Sequence, residues 1–361
     1  MKNYLLAICL ILPFALTAQK RVDLDRFNFK VQFRALPKLD LDSTYRTYSI
    51  AASHSKMMNP FIPATDPANT VLLQGWRKLS KDGHINIKVR FEDLLPESVT
   101  VKERIINVKD KAGAITSTKT LYYQEVVYTY AATANITDYR GAFIMDEVLA
   151  NRDNKQVYNS PEFAFRPLAE GYFLLNSPSI TKDLYQKAVT RSMLNLSNRI
   201  TDNFGFEEVT VNDYMWVVGS RKHPEYDDSR KALKEMNEVL FSMTADKTIE
   251  GAREKLKPAI DYFENIKSLY SGSKKHDRKI RYASYFNLAV LYYYLDDPDM
   301  MMKEASGLIL NDFNTAIGKS FQETALRLKN EFKRTNLNTR HFIIDINSLK
   351  GPLENTETAV K

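Results

Sequence analysis

The chain has 361 residues, of which 44% are hydrophobic, 26% charged and 11% aromatic, a composition that excludes collagen, coiled-coil fibre and wholesale disorder. Single cores stop growing at roughly 250–300 residues, so the length favours two domains. The 51 Lys and Arg against 44 Asp and Glu leave a net charge of +7 spread over both halves, without the clustered bases and reading element that nucleic-acid binding requires.

Residues 1–18 read as a secretory signal peptide. Lys2 supplies the positive start, Tyr4 to Phe14 the apolar run, and Ala15-Leu16-Thr17-Ala18 the small-residue ending suited to cleavage before Gln19. That run is too short to span a bilayer, which needs about 20 apolar residues. Cys9, the one cysteine, sits inside the run and would leave with it. The mature chain is then expected to have no disulfide, no thiol nucleophile and no cysteine-ligated metal.

From residue 20 to 176 the pattern is that of strands. Phe27 to Arg34 alternates apolar and polar residues, and Ile85 to Phe91 repeats the alternation with a shared Asn-apolar-Lys-Val core, the mark either of a duplicated β unit or of two solvent-facing strands built alike from Lys and aromatics. Val99 to Val108 and Leu121 to Ala131 flank the turn-like Lys109-Asp110-Lys111-Ala112-Gly113, predicting a hairpin. Asn59 to Pro67 holds three prolines and reads as a loop, and Asp138-Tyr139-Arg140-Gly141 as a turn into Ala142 to Val148. The expectation is an antiparallel β sandwich or curved sheet.

After Asn176 the period becomes helical. Thr181–Phe204, Lys231–Ala245, Thr248–Tyr270, Tyr282–Leu295, Asp299–Leu310 and Asn314–Phe332 carry apolar residues at three-to-four spacing, with Pro258 predicting a kink in the third. The expected architecture is α+β in two domains: β-rich over 20–176, an α-helical array over 177–350, and a flexible tail over 351–361.

Leu288, Ala289 and Tyr292, followed by the turn Asp296-Asp297-Pro298 and a second helix, resemble a degenerate tetratricopeptide repeat, with Ala252 at the matching small-residue position of an earlier helix pair. Met301 stands where that family favours alanine, and the two units are about 49 residues apart instead of the family's 34. The resemblance implies a peptide-binding concave face. By position, that face would carry Phe286, Asn287, Val290, Tyr293 and Tyr294 in the later unit and Asn237, Glu238 and Phe241 in the earlier one.

Catalytic signals are sparse. None of the histidines lies within four residues of another, and there is no Gly-x-Ser-x-Gly elbow or Gly-rich phosphate loop, so no catalytic residue, metal ligand or cofactor is assigned. Asp227-Asp228 and Asp296-Asp297 sit where helix capping explains them. The expected function is a non-enzymatic scaffold subunit of a periplasmic or outer-membrane-associated assembly, with a protein partner, no nucleic acid and no membrane span of its own. The alternative is a glycan-binding or glycan-processing protein, with Tyr122, Tyr128 and Tyr130 on one strand face. The leader, the Lys/Asn/Tyr-rich composition and the lack of other cysteines resemble envelope proteins of Bacteroidota.

Overall fold

The computed structural model describes residues 22–354; the predicted leader, Cys9 and residues 355–361 lie outside the described residues. In chain order the elements are β1 (Leu24–Arg34), β2 (Thr47–His54), β3 (Arg77–Lys78), β4 (Ile85–Phe91), β5 (Leu95–Lys109), β6 (Ile115–Thr129), β7 (Ala132–Asp138), β8 (Phe143–Ala150), β9 (Gln156–Asn159), α1 (Arg166–Phe204), β10 (Glu208–Val218), α2 (Tyr226–Ser242), α3 (Ala252–Leu269), α4 (Lys275–Tyr294), α5 (Pro298–Leu310) and α6 (Thr315–Thr335). They divide into two compact units: unit 1 takes residues 22–34 together with Glu208–Ile343, and unit 2 takes Ala35–Glu207 together with residues 344–354. The change of period expected at 176 is not a unit boundary, because α1 runs through it from Arg166 to Phe204.

Unit 2 holds a five-stranded sheet of order β3-β2-β4-β7-β8 and a three-stranded sheet of order β5-β6-β9. The antiparallel expectation holds for β4–β7–β8 and for β5–β6–β9, but β2 pairs parallel with both β3 and β4, so the large sheet is mixed. The physical reason is the long crossover between β2 and β4, which returns the chain to its starting direction as a tight hairpin cannot. Alternation in β4 buries Ile85, Ile87, Val89 and Phe91 on one face and leaves Lys88 and Arg90 exposed. Helix α1 adds Tyr185, Val189, Met193, Leu196 and Ile200 to the buried residues of this unit, and the Trp76 indole donates to the Phe204 carbonyl at 2.8 Å.

In unit 1, β1 and β10 pair antiparallel along eleven residues each, and helices α2 to α6 stack in chain order, each against the next. One face of the ribbon packs on the helices through Phe29, Val31, Phe33, Met215 and Val217. The helix turns follow local chemistry: Asp297 accepts from the Met300 N–H to cap α5, with Pro298 in the first turn, where its missing N–H costs nothing. β10 falls within the half expected to be all helix. β1 and β4, the two similar strands, have unlike partners in different sheets.

Candidate functional site

The eight residues placed on a binding face by the repeat resemblance separate into two groups. On α4, Phe286, Asn287, Val290 and Tyr294 are buried inside unit 1. Phe286 packs among the rings of Tyr214, Trp216 and Phe321. The Asn287 carboxamide clasps the β10 backbone, accepting from the Trp216 N–H and donating to its carbonyl, both at 2.8 Å. The Tyr294 hydroxyl donates to Asp213 at 2.7 Å. Tyr293 is half-buried against the Arg340 guanidinium, 4.3 Å from its ring centre. On α2, Asn237 is half-buried, Glu238 is exposed and lines a shallow groove of about 410 Å³ with residues of α3, and Phe241 is 69% exposed. The repeat-like Leu288, Ala289 and Tyr292 are all buried.

Several buried polar groups of unit 1 are spent on holding the array together. Asp296, in the left-handed region at φ 55°, accepts from the Arg340 backbone and side chain and from Thr339. The Arg340 guanidinium lies between the rings of Phe33 and Tyr293. His341 is fully buried, with Nδ1 2.9 Å from the Thr244 carbonyl, and burial pushes its pKa down. Glu225 accepts from the hydroxyls of Tyr262 and Tyr270 at 3.2 and 3.1 Å, and burial drives both phenols well above their ordinary range, so they stay donors. Burial also raises the Glu304 carboxyl, which Lys267 meets at 2.8 Å. Among the described residues no group of three or more His, Cys, Asp or Glu is set to hold a metal, and no helix is long and apolar enough to cross a membrane.

Unit 2 presents two surfaces of a different kind. The first is the outer half of the β5–β6 hairpin. Of residues 103–119 only Ile106 is even partly buried, so this segment forms a two-stranded arm with both faces in solvent. At ~3.4 Å per residue its strands reach roughly 20 Å. Ile105, Val108 and Ile115 are 61, 49 and 56% exposed along it. Among the described residues the outer edge of β5 has no strand partner, and β6 meets β9 only over Glu125–Tyr128.

The second is a cleft of about 820 Å³ at the other end of β6, bounded by α1, the end of β8 and the turn into β9. Tyr128, half-buried, and Tyr130, buried, come from the β6 side. Helix α1 contributes Asp183, Lys187 and Arg191, which lie on one stripe because they are four residues apart. The β8–β9 turn and β9 contribute Asn154 and Gln156. Neither Lys187 nor Arg191 is held in an ion pair by the described residues. The buried Tyr130 hydroxyl finds no partner of hydrogen-bonding geometry, although Ser192 is close enough to oppose the upward push that burial gives its pKa. The three tyrosines expected on one exposed face do not form a shared platform: Tyr130 is buried, and Tyr122 is half-buried beside the bridge to Phe163. The cleft was not read from the sequence, since its walls are three segments separated in the chain; the turn-like Asn151-Arg152-Asp153-Asn154 before Val157-Tyr158 was the available signal for β9.

Compared with known protein families and with curated proteins, the chain matches none.

Proposed function

We propose that the protein is a non-enzymatic interaction subunit of a cell-envelope assembly, exported by the leader at 1–18 and docking a protein partner in the periplasm or at the outer membrane. The observation that carries this is the β5–β6 arm. A two-stranded ribbon is marginal in water by itself, and an edge with open N–H and C=O groups invites pairing with another chain. Here such a ribbon also exposes Ile105, Val108 and Ile115, apolar area that would leave water on docking. The stacked α2–α6 array, with Leu288, Ala289 and Tyr292 buried, supports a tetratricopeptide-like scaffold, and Glu238 and Phe241 on α2 are the predicted face residues left accessible to a partner.

The test is affinity purification of the tagged full chain from its native envelope in mild detergent, beside a variant in which residues 103–119 are replaced by a two-residue turn. A stoichiometric partner is expected with the intact chain and is expected to be lost from the shortened one. Recovery of the intact chain as a lone monomer would sink the assembly proposal, and undiminished capture by the shortened chain would remove the arm from it. Phe241→Ala is expected to weaken capture by about tenfold, the scale of one truncated interface aromatic.

A further inference from the structure

The 820 Å³ cleft of unit 2 falls within the roughly 300–1,000 Å³ of ordinary ligand sites, and its walls combine a ring, amides and uncommitted cations. The half-buried Tyr128 is the one partly exposed aromatic side chain in the lining, and an aromatic ring suits the flat apolar surface of a ligand. The Asn154 carboxamide makes no hydrogen bond with the described residues, and a carboxamide both donates and accepts, as a sugar hydroxyl does. Gln156 spends only its amide nitrogen, on the Asn154 carbonyl. Lys187 and Arg191 stand without carboxylate partners on the same helical stripe. Leu149, Val157, Leu184 and Leu194 also line the cleft, an apolar surface that the C–H face of a sugar can cover, whereas a wholly apolar ligand would strand the amides and cations. A nucleic-acid strand would need a longer basic track, whereas this lining holds two cations and one carboxylate, Asp183.

We infer that the cleft binds a carboxylate-bearing oligosaccharide of the uronic-acid type: one sugar face on Tyr128, the carboxylate on Arg191 and Lys187, and hydroxyls on the carboxamides of Asn154 and Gln156. This site is separate from the arm, so it stands or falls independently of the assembly proposal.

Calorimetric titration of the full chain with a mannuronate tetrasaccharide, with cellotetraose as the neutral probe and tetraglutamate as the acidic peptide probe, tests it. The uronate is expected to bind with an affinity that falls as salt rises, and cellotetraose about tenfold more weakly or not at all. Tyr128→Ala and Arg191→Gln are each expected to weaken uronate binding by about tenfold; Arg191 is exposed, so its replacement leaves the fold intact, as circular dichroism would verify. The arm-shortened variant should bind the uronate as the intact chain does. No uronate binding, or binding indifferent to both substitutions, overturns the inference. So does tetraglutamate binding as tightly as the uronate with Tyr128 dispensable, which would make the cleft an acidic-peptide site.

Discussion

Asn287 shows how a residue that looks available on a helical wheel is committed by tertiary contact. Its carboxamide fills the two open backbone positions of Trp216, so Asn287→Leu would leave a buried N–H and C=O unpaired and is expected to cost about 2–4 kcal/mol in urea unfolding. Asn287→Asp should recover little, because a carboxylate cannot donate to the Trp216 carbonyl. The ion pair of Arg340 with Asp296 is similarly hidden, with side chains 4 and 2% exposed. Asp296→Asn would leave the guanidinium without its counter-charge between Phe33 and Tyr293, an expected loss of about 3–5 kcal/mol measured the same way. From the sequence Asp296 was legible only as a turn residue, since its partner lies 44 residues on. His341 adds a pH dependence. Burial lowers its folded-state pKa, so as pH falls the unfolded chain, with the ordinary imidazole value of about 6.5, takes the proton first. Its contribution is therefore intact above pH about 6.5 and drains away as pH falls through the depressed folded value. His341→Asn keeps a donor for the Thr244 carbonyl and removes the titration. The stability gap between the native chain and this variant is expected to narrow between about pH 7.5 and 5.5, while half-buried His54 and His84 cancel from the difference. A gap that stays constant would show that His341 does not titrate differently on folding.

At the scale of elements, periodicity located most of the strands and helices, and the differences have local causes. The first helix was expected from Thr181 but begins at Arg166 and carries Pro178 inside it. β10 was passed over because it sits between helices, although Val209 and Val211 alternate with polar neighbours; its pairing with β1, nearly 200 residues away, is what makes it a strand. Gly83 illustrates a constraint invisible in the chain. A Cβ there would stand 2.5 Å from the Tyr48 carbonyl carbon, backbone that cannot yield without moving β2. Gly83→Ala is accordingly expected to destabilise unit 2 by about 1–3 kcal/mol, the range of overpacking, in thermal or urea unfolding. The hairpin that became the arm was legible as a hairpin, but nothing in its alternation said that both faces of its outer half would be wet.

For the molecule as a whole, the decisive feature is that each unit is discontinuous in the chain. Unit 1 needs β1 from one end and β10 with the helices from the other, since Phe29, Val31 and Phe33 belong to the same buried cluster as Leu233, Phe263 and Leu291. A fragment cut at the change of period, 177–361, would expose the helix face that β1 covers. It is expected to show helical far-ultraviolet dichroism without a cooperative urea transition, and the full chain to show a cooperative one; cooperative unfolding of the fragment would mean that β1 is dispensable. Composition and periodicity alone determined the strand-rich and helix-rich segments, because these depend on residues close in the chain. Tertiary structure alone decided which aromatic residues of α4 are packed inside, where the parallel pairing enters the sheet, and that Tyr128, Asn154 and Arg191 meet around one cleft. Those outcomes depend on contacts between distant segments, and burial and hydrogen-bond satisfaction are settled only when such segments come together.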